Sequence, residues 1–325
     1  MPEAFTSTIA AEIEDYLALR EASGLNTAQT HRHLQSLDTF LAQLEPERKE
    51  LTRGIVEQWA ASMSGSAETK RKRLSAVRGL AAYLIALGIP AYVSPLPKRR
   101  STYTPYLFTE EELGALFASI DNLCGQSGKA ALGTDVMPML IRMLYGTGLR
   151  LGEALSLKWS DVDEQAGVLL IRKAKNDRQR YVPLSASLNS ILASWRASGA
   201  CAGSHGSLVF SSPSGETVTQ NQVRRLFGIA LADAKIANIR EIKGQRGICP
   251  HCLRHQFTMD SYLKMEGEGR AFMESNPYLS AYLGHEGLAC TDQYLKGSHA
   301  MHRREHAKME VACDGLFPEV DFDEE

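Results

Sequence analysis

The 325-residue sequence has no apolar stretch long enough to cross a lipid bilayer, which takes about 20 consecutive apolar residues. Its first ten residues, Met1 to Ala10, have neither a basic leader nor a long apolar run, so they do not resemble a secretory signal. Cysteine is scarce: the six residues are scattered, which suits a reducing compartment better than a disulfide framework. We therefore expect a cytoplasmic protein that is not associated with a membrane.

An excess of positive charge is also absent, because the formal net charge is −2. The charge is unevenly distributed, however. Residues 51–100 contain nine Lys and Arg against two Asp and Glu, whereas residues 301–325 contain three against eight. A phosphate backbone responds to the local field rather than to the total charge. The composition therefore does not exclude nucleic acid as a partner of the basic central region.

The length indicates about two domains, and apolar periodicity predicts four helices in the first, residues 1–89. The fourth helix, from about residue 67 to residue 87, has a basic first half and an apolar second half. Its basic side chains are a candidate contact to the DNA backbone, although a solvated helix face remains an alternative. These candidate DNA-binding residues are Lys70, Arg71, Lys72, Arg73 and Arg78.

Four prolines make residues 90–106 a linker, because proline does not continue a helix. The second domain is predicted to span residues 107–313 and to begin with a capping box from Thr109 to Glu112. Its sequence patterns predict several helices and one β-hairpin, whose strands are residues 168–173 and 180–184. The predicted fold class is therefore mainly α with a small β-sheet (α+β), followed by an acidic tail at residues 314–325.

Several clusters in the second domain carry groups that suit chemistry on a phosphodiester. Arg150 follows a Gly-Thr-Gly helix break near a helix N-terminus, where anions are favoured, although an exposed pair with Glu153 is the simpler alternative. His251 and Arg254 are three residues apart, so both project from one side of a helix. Lys175 lies in the hairpin turn, where an ordinary solvated turn, or Lys173 in its place, remains possible.

Together, these clusters resemble the active site of the tyrosine recombinases, the phage-integrase family. The resemblance covers most of residues 67–297, and its motifs occur in the family's order. They are Thr147-Gly148-Leu149-Arg150, the hairpin around Lys175, His251-Cys252-Leu253-Arg254-His255, Leu283-Gly284-His285, and Tyr294. The four N-terminal helices likewise resemble the family's core-binding domain. The expected architecture is thus a helical core-binding domain followed by a catalytic domain.

The resemblance assigns a role to each catalytic candidate. Tyr294 would attack the phosphate and form a 3′-phosphotyrosyl link, while Lys175 protonates the leaving 5′ oxygen. The remaining candidates would stabilise the charged pentacoordinate state or assist proton transfer: Arg150, His251, Arg254 and His285. Because the protein–DNA ester keeps the energy of the broken bond, this chemistry needs neither ATP nor a metal, and no cofactor is expected.

The resemblance also implies partners. We expect double-stranded DNA with specific recombination sites, and a homotetramer on synapsed DNA in which a C-terminal helix, with residues 299–312 as the candidate, docks on a neighbouring subunit. Accessory recombinases or DNA-bending proteins are further possible partners. The segment from Glu266 to Tyr282 is longer than in the compact recombinases that resolve chromosome dimers, which favours a mobile-element role.

Three alternatives remain at this point. A type IB topoisomerase would use the same chemistry but rejoin the same strand, and a DNA-binding protein of this fold could lack catalysis. Cys249-Pro250-His251-Cys252 with His255 could bind zinc, but a structural site usually needs two Cys-x-x-Cys pairs and this sequence has one.

Overall fold

In the computed structural model, the described residues are 4–44, 49–97, 105–123, 135–172, 179–199, 201, 204–212, 215–236, 247–270 and 272–284. The chain divides into two compact units, residues 1–102 and residues 103–325. The functions predicted for the two domains remain predictions. None of the described helices is both long enough and apolar enough to cross a membrane.

The first unit is helical. Its helices are α1 (Ala10–Ala22), α2 (Ala28–Leu44), α3 (Arg53–Ser62) and α4 (Ala67–Ala86). Side-chain hydroxyls cap two of them: Thr52 Oγ1 accepts the N–H of Ile55 at 3.4 Å, and Ser66 Oγ accepts the N–H of Thr69 at 3.3 Å. Such caps satisfy backbone donors that have no partner inside the helix. They explain why α3 and α4 begin where they do.

The core of the first unit contains residues from all four helices, and α1 approaches α4 closely. A Cβ on Gly79 would lie 2.2 Å from the Tyr16 hydroxyl, so this position of α4 has room only for glycine. Trp59, which is 1% exposed, donates its indole N–H to the Ser36 carbonyl at 3.2 Å. Buried Asp38 accepts the N–H of Ser7 at 2.9 Å, which ties the segment before α1 to α2.

The second unit combines helices with one small sheet. Its helices are α5 (Glu110–Leu123), α6 (Met137–Thr147), α7 (Leu151–Leu155), α8 (Ala186–Ala197), α9 (Gln220–Asp233), α10 (His251–Gly267) and α11 (Phe272–Leu283). A 3₁₀ turn at Trp159–Asp161 leads into the strands, which are β1 (Val162–Asp163), β2 (Val168–Ile171) and β3 (Arg180–Pro183). The predicted α+β class, mainly helical with a small sheet, is confirmed.

The sheet is antiparallel with the strand order β1-β2-β3. Leu169 pairs with Val182, and both side chains are fully buried, whereas Tyr181 on the other face is 71% exposed. This alternation is what one buried face requires. The two predicted hairpin strands are confirmed, although both are shorter than expected, and β1 was not predicted because two residues carry no readable alternation.

Helix bounds near the site differ from the prediction in two places. The predicted α10 ends at residue 264, whereas the observed helix continues to Gly267. It ends through Gly269, which has a φ of 84°, and Arg270 N–H donates to the Met265 carbonyl at 3.0 Å. The helix predicted to begin at Pro277 begins five residues earlier, so Pro277 lies inside α11. The predicted capping box at Thr109 is confirmed, with reciprocal bonds to Glu112 of 3.0 and 3.2 Å.

Candidate active site

The turn between α6 and α7 positions Arg150. Gly148 ends α6 in the left-handed region, with a φ of 62°, and its N–H donates to the Leu144 carbonyl. A Cβ on Gly148 would also lie 2.5 Å from Cδ1 of Phe257 on α10. Both the conformation and the contact favour glycine here. The chain then becomes extended, and Arg150 serves as the N-cap residue of α7.

Arg150 joins α7 to the end of α11. Its Nη1 donates to Glu153 Oε1 at 2.8 Å, and its Nη2 donates to the carbonyl oxygen of Gly284 at 3.2 Å. The Arg150 side chain is 28% exposed, while that of Glu153 is only 3% exposed. The pair is therefore not the solvated surface pair that the sequence left as an alternative.

A second arginine completes the environment of Glu153. Arg180, at the start of β3, donates to both carboxylate oxygens, at 3.1 and 2.8 Å. Burial alone would raise the pKa of the Glu153 carboxyl, but the hydrogen bonds and charges of Arg180 and Arg150 outweigh it and lower the pKa to about 2. Arg180 Nε also donates to the Tyr282 carbonyl at 2.9 Å. One buried carboxylate thus connects β3, α7 and the end of α11.

Arg254 lies on the first turns of α10 and is 1% exposed. Its Nη1 donates to the Gly148 carbonyl at 2.7 Å, and its Nη2 donates to the Leu283 carbonyl at 2.8 Å. A guanidinium has five N–H donors in a rigid fork, so it can join two backbone segments in a fixed geometry. Arg254 therefore holds the Arg150 turn and the end of α11 beside α10.

His251 is the first residue of α10, and its side chain is exposed. Its ring centroid is 4.7 Å from that of buried His255, with an interplanar angle of 77°. This edge-to-face contact orients the exposed imidazole. Buried His255 thus packs against the side chain of His251.

An open cavity of about 570 Å³ has Arg150 and His251 in its lining. Arg224 and Gln220 of α9 line it as well, and Arg224 Nη2 donates to Gln220 Oε1 at 2.8 Å. Two guanidinium groups and an imidazole on one cavity wall can bind an anion such as a phosphate. Arg224 was not among the predicted residues, because the sequence of α9 does not distinguish it from an ordinary arginine on a solvent-exposed helix face.

Three of the six predicted catalytic residues lie outside the described residues. They are Lys175, for which Lys173 was the competing choice, His285 and Tyr294. The described chain reaches Gly284, the residue before His285. A Cβ on Gly284 would lie 3.1 Å from Arg180 Nη1, and the residue has a φ of 65°. Arginine contacts therefore hold the backbone that leads into the predicted His285 position.

The neighbouring tyrosines that are described have other environments. Tyr262 is buried, and Tyr282 stacks on Phe257 with ring centroids 5.4 Å apart. Burial raises the pKa of Tyr282 to about 12, although nearby arginines oppose the shift. A higher pKa makes the phenolate nucleophile less accessible. Tyr278 is 69% exposed. Tyr294 stays the predicted nucleophile because of its spacing from Leu283-Gly284-His285.

The basic run on α4 divides between two faces. Arg71 Nε donates to the Pro97 carbonyl at 3.2 Å, and Arg78 Nη1 donates to the Ser94 carbonyl at 3.0 Å. These two residues are seven apart, which places them on the same face of the helix. This face contacts the segment that follows α4, so two of the five predicted DNA-binding residues have partners within the unit.

The other face of the α4 basic run lies near α2. Burial, followed by the positive charges of Arg73, Arg32 and Lys72, lowers the pKa of His33. The basic residues Lys72 and Arg73 thus share a surface with residues of α2 that the sequence analysis did not include. Lys70 lies in the first turn of α4. No sequence signal in α2 alone would have identified Arg32, because its proximity to α4 is tertiary.

The described part of the second unit includes all four residues of the alternative zinc motif and His255. Among the residues that the structure describes, no group of three or more His, Cys, Asp and Glu side chains is arranged to hold a metal ion. Cys249 and Cys252 carry thiols. The zinc alternative therefore has no geometric support.

Comparison with known sequences gives the class of this protein. Residues 107–300, more than half of the chain, match the phage integrase family. The chain belongs to this family, whose members are the tyrosine recombinases. It is 29% identical over 299 residues to a Sinorhizobium fredii protein named as an integrase/recombinase, y4rB, covering 90% of this chain and 94% of that protein. It is 26% identical over 311 residues to tyrosine recombinase XerC of Mycobacterium bovis, covering 91% and 98%.

Solved structures show the same fold. XerH site-specific recombinase bound to palindromic difH substrate matches with a TM-score of 0.66 and 21% identity, over 94% of this chain and 85% of that chain. The Tn1549 transposon integrase in complex with transposon right end DNA matches with a TM-score of 0.61 and 17% identity, over 92% and 98%. At these identities the likeness establishes the fold.

Proposed function

We propose that this protein is a site-specific tyrosine recombinase that cuts and rejoins DNA through a 3′-phosphotyrosine at Tyr294. The free 5′ hydroxyl of a partner strand then attacks that ester, which exchanges the strands. The ester keeps the energy of the broken phosphodiester, so the proposed reaction uses neither ATP nor a metal. We further propose a mobile element as the context, because one relative in structure is a transposon integrase.

In this proposal, cations neutralise the scissile phosphate while charge develops on it. Arg150 and Arg254 stabilise this charge. Arg150 lines the cavity, whereas Arg254 is buried and donates to two backbone carbonyls in the unbound protein, so it must exchange these partners to contact a non-bridging oxygen. His251 and His285 assist through hydrogen bonds and proton transfer. Lys175 protonates the leaving 5′ oxygen. The shared cavity of Arg150 and His251 supports this arrangement, because it is open to solvent and has both a guanidinium and an imidazole in its lining.

One observation supports the proposal most strongly. Arg254 donates to the Leu283 carbonyl at 2.8 Å, and Arg150 donates to the Gly284 carbonyl at 3.2 Å. Two arginine motifs that are about 100 residues apart in sequence thus bind adjacent peptide groups, immediately before His285. These contacts hold both guanidinium groups beside the backbone that leads into His285, which supports a single site that combines the two arginine motifs.

The test is covalent trapping on nicked DNA. Binding sites selected from a pool of random duplexes are rebuilt with a nick close to the cleavage position, so that a short fragment leaves and religation fails. We expect the wild-type chain to form a denaturant-resistant protein–DNA adduct and Tyr294→Phe to form none. Tyr278→Phe is the matched control, because this exposed tyrosine of α11 should not affect trapping.

Other outcomes decide between this function and its alternatives. An adduct formed by Tyr294→Phe would mean that another residue is the nucleophile. Adducts on DNA of any sequence, together with relaxation of supercoiled plasmid and no exchange between duplexes, would indicate a topoisomerase. Specific binding without an adduct from either protein would indicate a DNA-binding protein that lacks catalysis.

The partners belong to the same proposal. We propose that the protein binds double-stranded DNA through Lys70, Arg71, Lys72, Arg73 and Arg78, as well as through the catalytic unit. We also propose that four subunits assemble on two duplexes, with residues 299–312 of each subunit docking on a neighbour. The DNA-bound state of the XerH and Tn1549 integrase structures supports DNA as the partner.

A further inference from the structure

The proposed chemistry gives no role to two cysteines at the start of α10: Cys252 lies inside the motif His251-Cys252-Leu253-Arg254-His255, and Cys249 lies two residues before it. Cys249 and Cys252 enclose Pro250 and His251 at the start of α10, and both carry thiols. The N–H of Cys252 donates to the Cys249 carbonyl at 2.8 Å, and the N–H of Leu253 donates to the Pro250 carbonyl at 3.2 Å. These bonds form a tight turn that starts at one cysteine and ends at the other.

The turn brings the two cysteines within bridging distance. In a hydrogen-bonded turn of this kind the first and fourth Cα atoms lie within about 7 Å, and disulfides join Cα atoms about 4.4–6.8 Å apart. Both side chains face the same apolar core: Cys252 is 1% exposed within it, and Cys249 packs against it. The spacing of the backbone is therefore compatible with a Cys-x-x-Cys disulfide, which would form after the side chains adjust.

The two thiols differ in access, which gives them different chemical roles. Cys249 is partly exposed and lines the cavity that Arg150 and His251 also line. Cys252 is buried, so a reagent in solution meets Cys249 first. An exposed attacking thiol beside a buried resolving thiol is the arrangement that thiol–disulfide exchange uses.

We propose that Cys249 and Cys252 form a reversible disulfide with a small-molecule disulfide such as oxidised glutathione as the oxidant. The Cys249 thiolate attacks one glutathione sulfur and releases the first glutathione thiolate, which leaves a mixed disulfide. The Cys252 thiolate then attacks the Cys249 sulfur and releases the second. The two protein thiols are oxidised to one disulfide, and the glutathione disulfide is reduced. The two protons that the protein thiols lose are taken up by the released glutathione thiolates, which become two thiols.

The consequence for catalysis rests on the proposed function. Ring closure encloses His251 between the bridged residues, and the bridge ends at Cys252, two positions before Arg254. The imidazole then loses the freedom to adjust to a phosphate. Since displacements near 1 Å at a reacting group reduce rates by up to about a hundredfold, we expect the oxidised protein to cleave DNA about tenfold to a hundredfold more slowly.

The experiment uses the full chain and measures the bond before the activity. The native protein is equilibrated with reduced and oxidised glutathione at several ratios, quenched with acid, and analysed by intact mass and peptide mapping. We expect the wild type to lose two hydrogens, with the bridge between Cys249 and Cys252, and dithiothreitol to reverse the change. Cys252→Ser should instead gain one glutathione at Cys249. Cys201→Ser is the matched control, because Cys201 is buried elsewhere in the unit, and it should form the bridge like the wild type.

Activity is then compared in the same buffers with the nicked substrate. We expect oxidation to slow the wild type and leave the rate of Cys249→Ser unchanged. Retention of both thiols in the native protein, or a bridge to another cysteine, would overturn the proposed site. A correct bridge with an unchanged cleavage rate would overturn its effect on catalysis. If the reduced protein forms no adduct, the recombinase function fails, whereas the mass and peptide data still decide whether the disulfide forms.

Discussion

Glu153 is the residue on which the candidate site depends most, although it is not expected to touch DNA. Its buried carboxylate accepts hydrogen bonds from Arg150 and from both terminal nitrogens of Arg180. A buried charge of this kind is favourable only while its partners remain in place. Removing the charge would leave two guanidinium groups repelling each other beside the Gly284 carbonyl.

The lowered pKa of Glu153 makes a pH-dependent stability prediction. The folded pKa is about 2 against an ordinary value of 4.5, so the charged carboxylate stabilises the folded state above pH 4.5 and loses this effect as the pH falls toward 2. We expect Glu153→Gln to reduce the free energy of unfolding by about 2–3 kcal/mol near neutral pH. The difference from the wild type should shrink as the pH falls below 4.5. Chemical denaturation followed at several pH values measures both.

A surface carboxylate provides the control for this prediction. Glu57 accepts a hydrogen bond from Arg53 at 2.7 Å, but both side chains are more than half exposed. Solvent screens surface pairs of this kind, so Glu57→Gln should have little effect on stability at any of these pH values. Equal effects of the two substitutions would mean that the Glu153 network is no stronger than a surface pair.

At the scale of elements, the junction between α6 and α10 determines where the Arg150 turn lies. Gly148 combines a positive φ with a close approach to Phe257. Gly199, after α8, has a similar φ of 72°, but a Cβ added there would meet no atom of the described residues within 4 Å. The two glycines therefore separate the cost of the backbone conformation from the cost of the contact.

We expect Gly148→Ala to destabilise the protein by about 1–3 kcal/mol more than Gly199→Ala, because only the first substitution forces Phe257 to move. The additional change Phe257→Leu should recover part of the difference by making room for the methyl group. Thermal or denaturant unfolding of the three variants measures this. Equal losses for both glycines would show that Phe257 adapts without cost and that the contact does not fix the turn.

The two faces of α4 lead to a prediction about DNA affinity. Each phosphate contact contributes about one unit to the slope of log K against log salt. We expect the double variant Lys72→Ala, Arg73→Ala to reduce this slope by about two. Arg71→Ala with Arg78→Ala should reduce it less, because those guanidinium groups already donate to carbonyls in the following segment. Fluorescence anisotropy across a salt series measures both slopes. Equal reductions would mean that Arg71 and Arg78 exchange their carbonyl partners for phosphates when DNA binds.

The sequence predicts best those elements that are formed by interactions between residues close together in the chain. The strands β2 and β3 are short β-like runs on either side of a polar turn, and the Thr109 capping box involves residues three apart, so local reasoning found both. The helix α10 continues past residue 264 because its C-terminal turn forms at Gly269. The composition of this segment did not show at which residue the helix would end. The bond between Arg180 and Glu153 joins residues 27 positions apart, and only the tertiary fold brings them together.

At the scale of the whole molecule, the proposed catalysis and the proposed assembly involve different parts of the chain. The arginine-centred site lies within the second unit, whereas the proposed contact between subunits uses residues 299–312, which lie outside the described residues. Cleavage of one strand needs one active site on one duplex. Exchange needs several subunits held together on two duplexes, so removing the proposed docking segment should separate the two activities.

We expect a chain that ends at residue 298 to trap nicked DNA at a rate within about threefold of the full chain, since the site residues through Tyr294 remain and a change of that size corresponds to less than 1 kcal/mol. It should form no joint molecules between two duplexes. A chain that ends at residue 313 lacks only the acidic tail and serves as the control, which should retain both activities. Joint molecules from the shorter chain would show that subunits assemble through another surface. Loss of trapping as well would show that residues 299–312 support the position of Tyr294 within their own subunit.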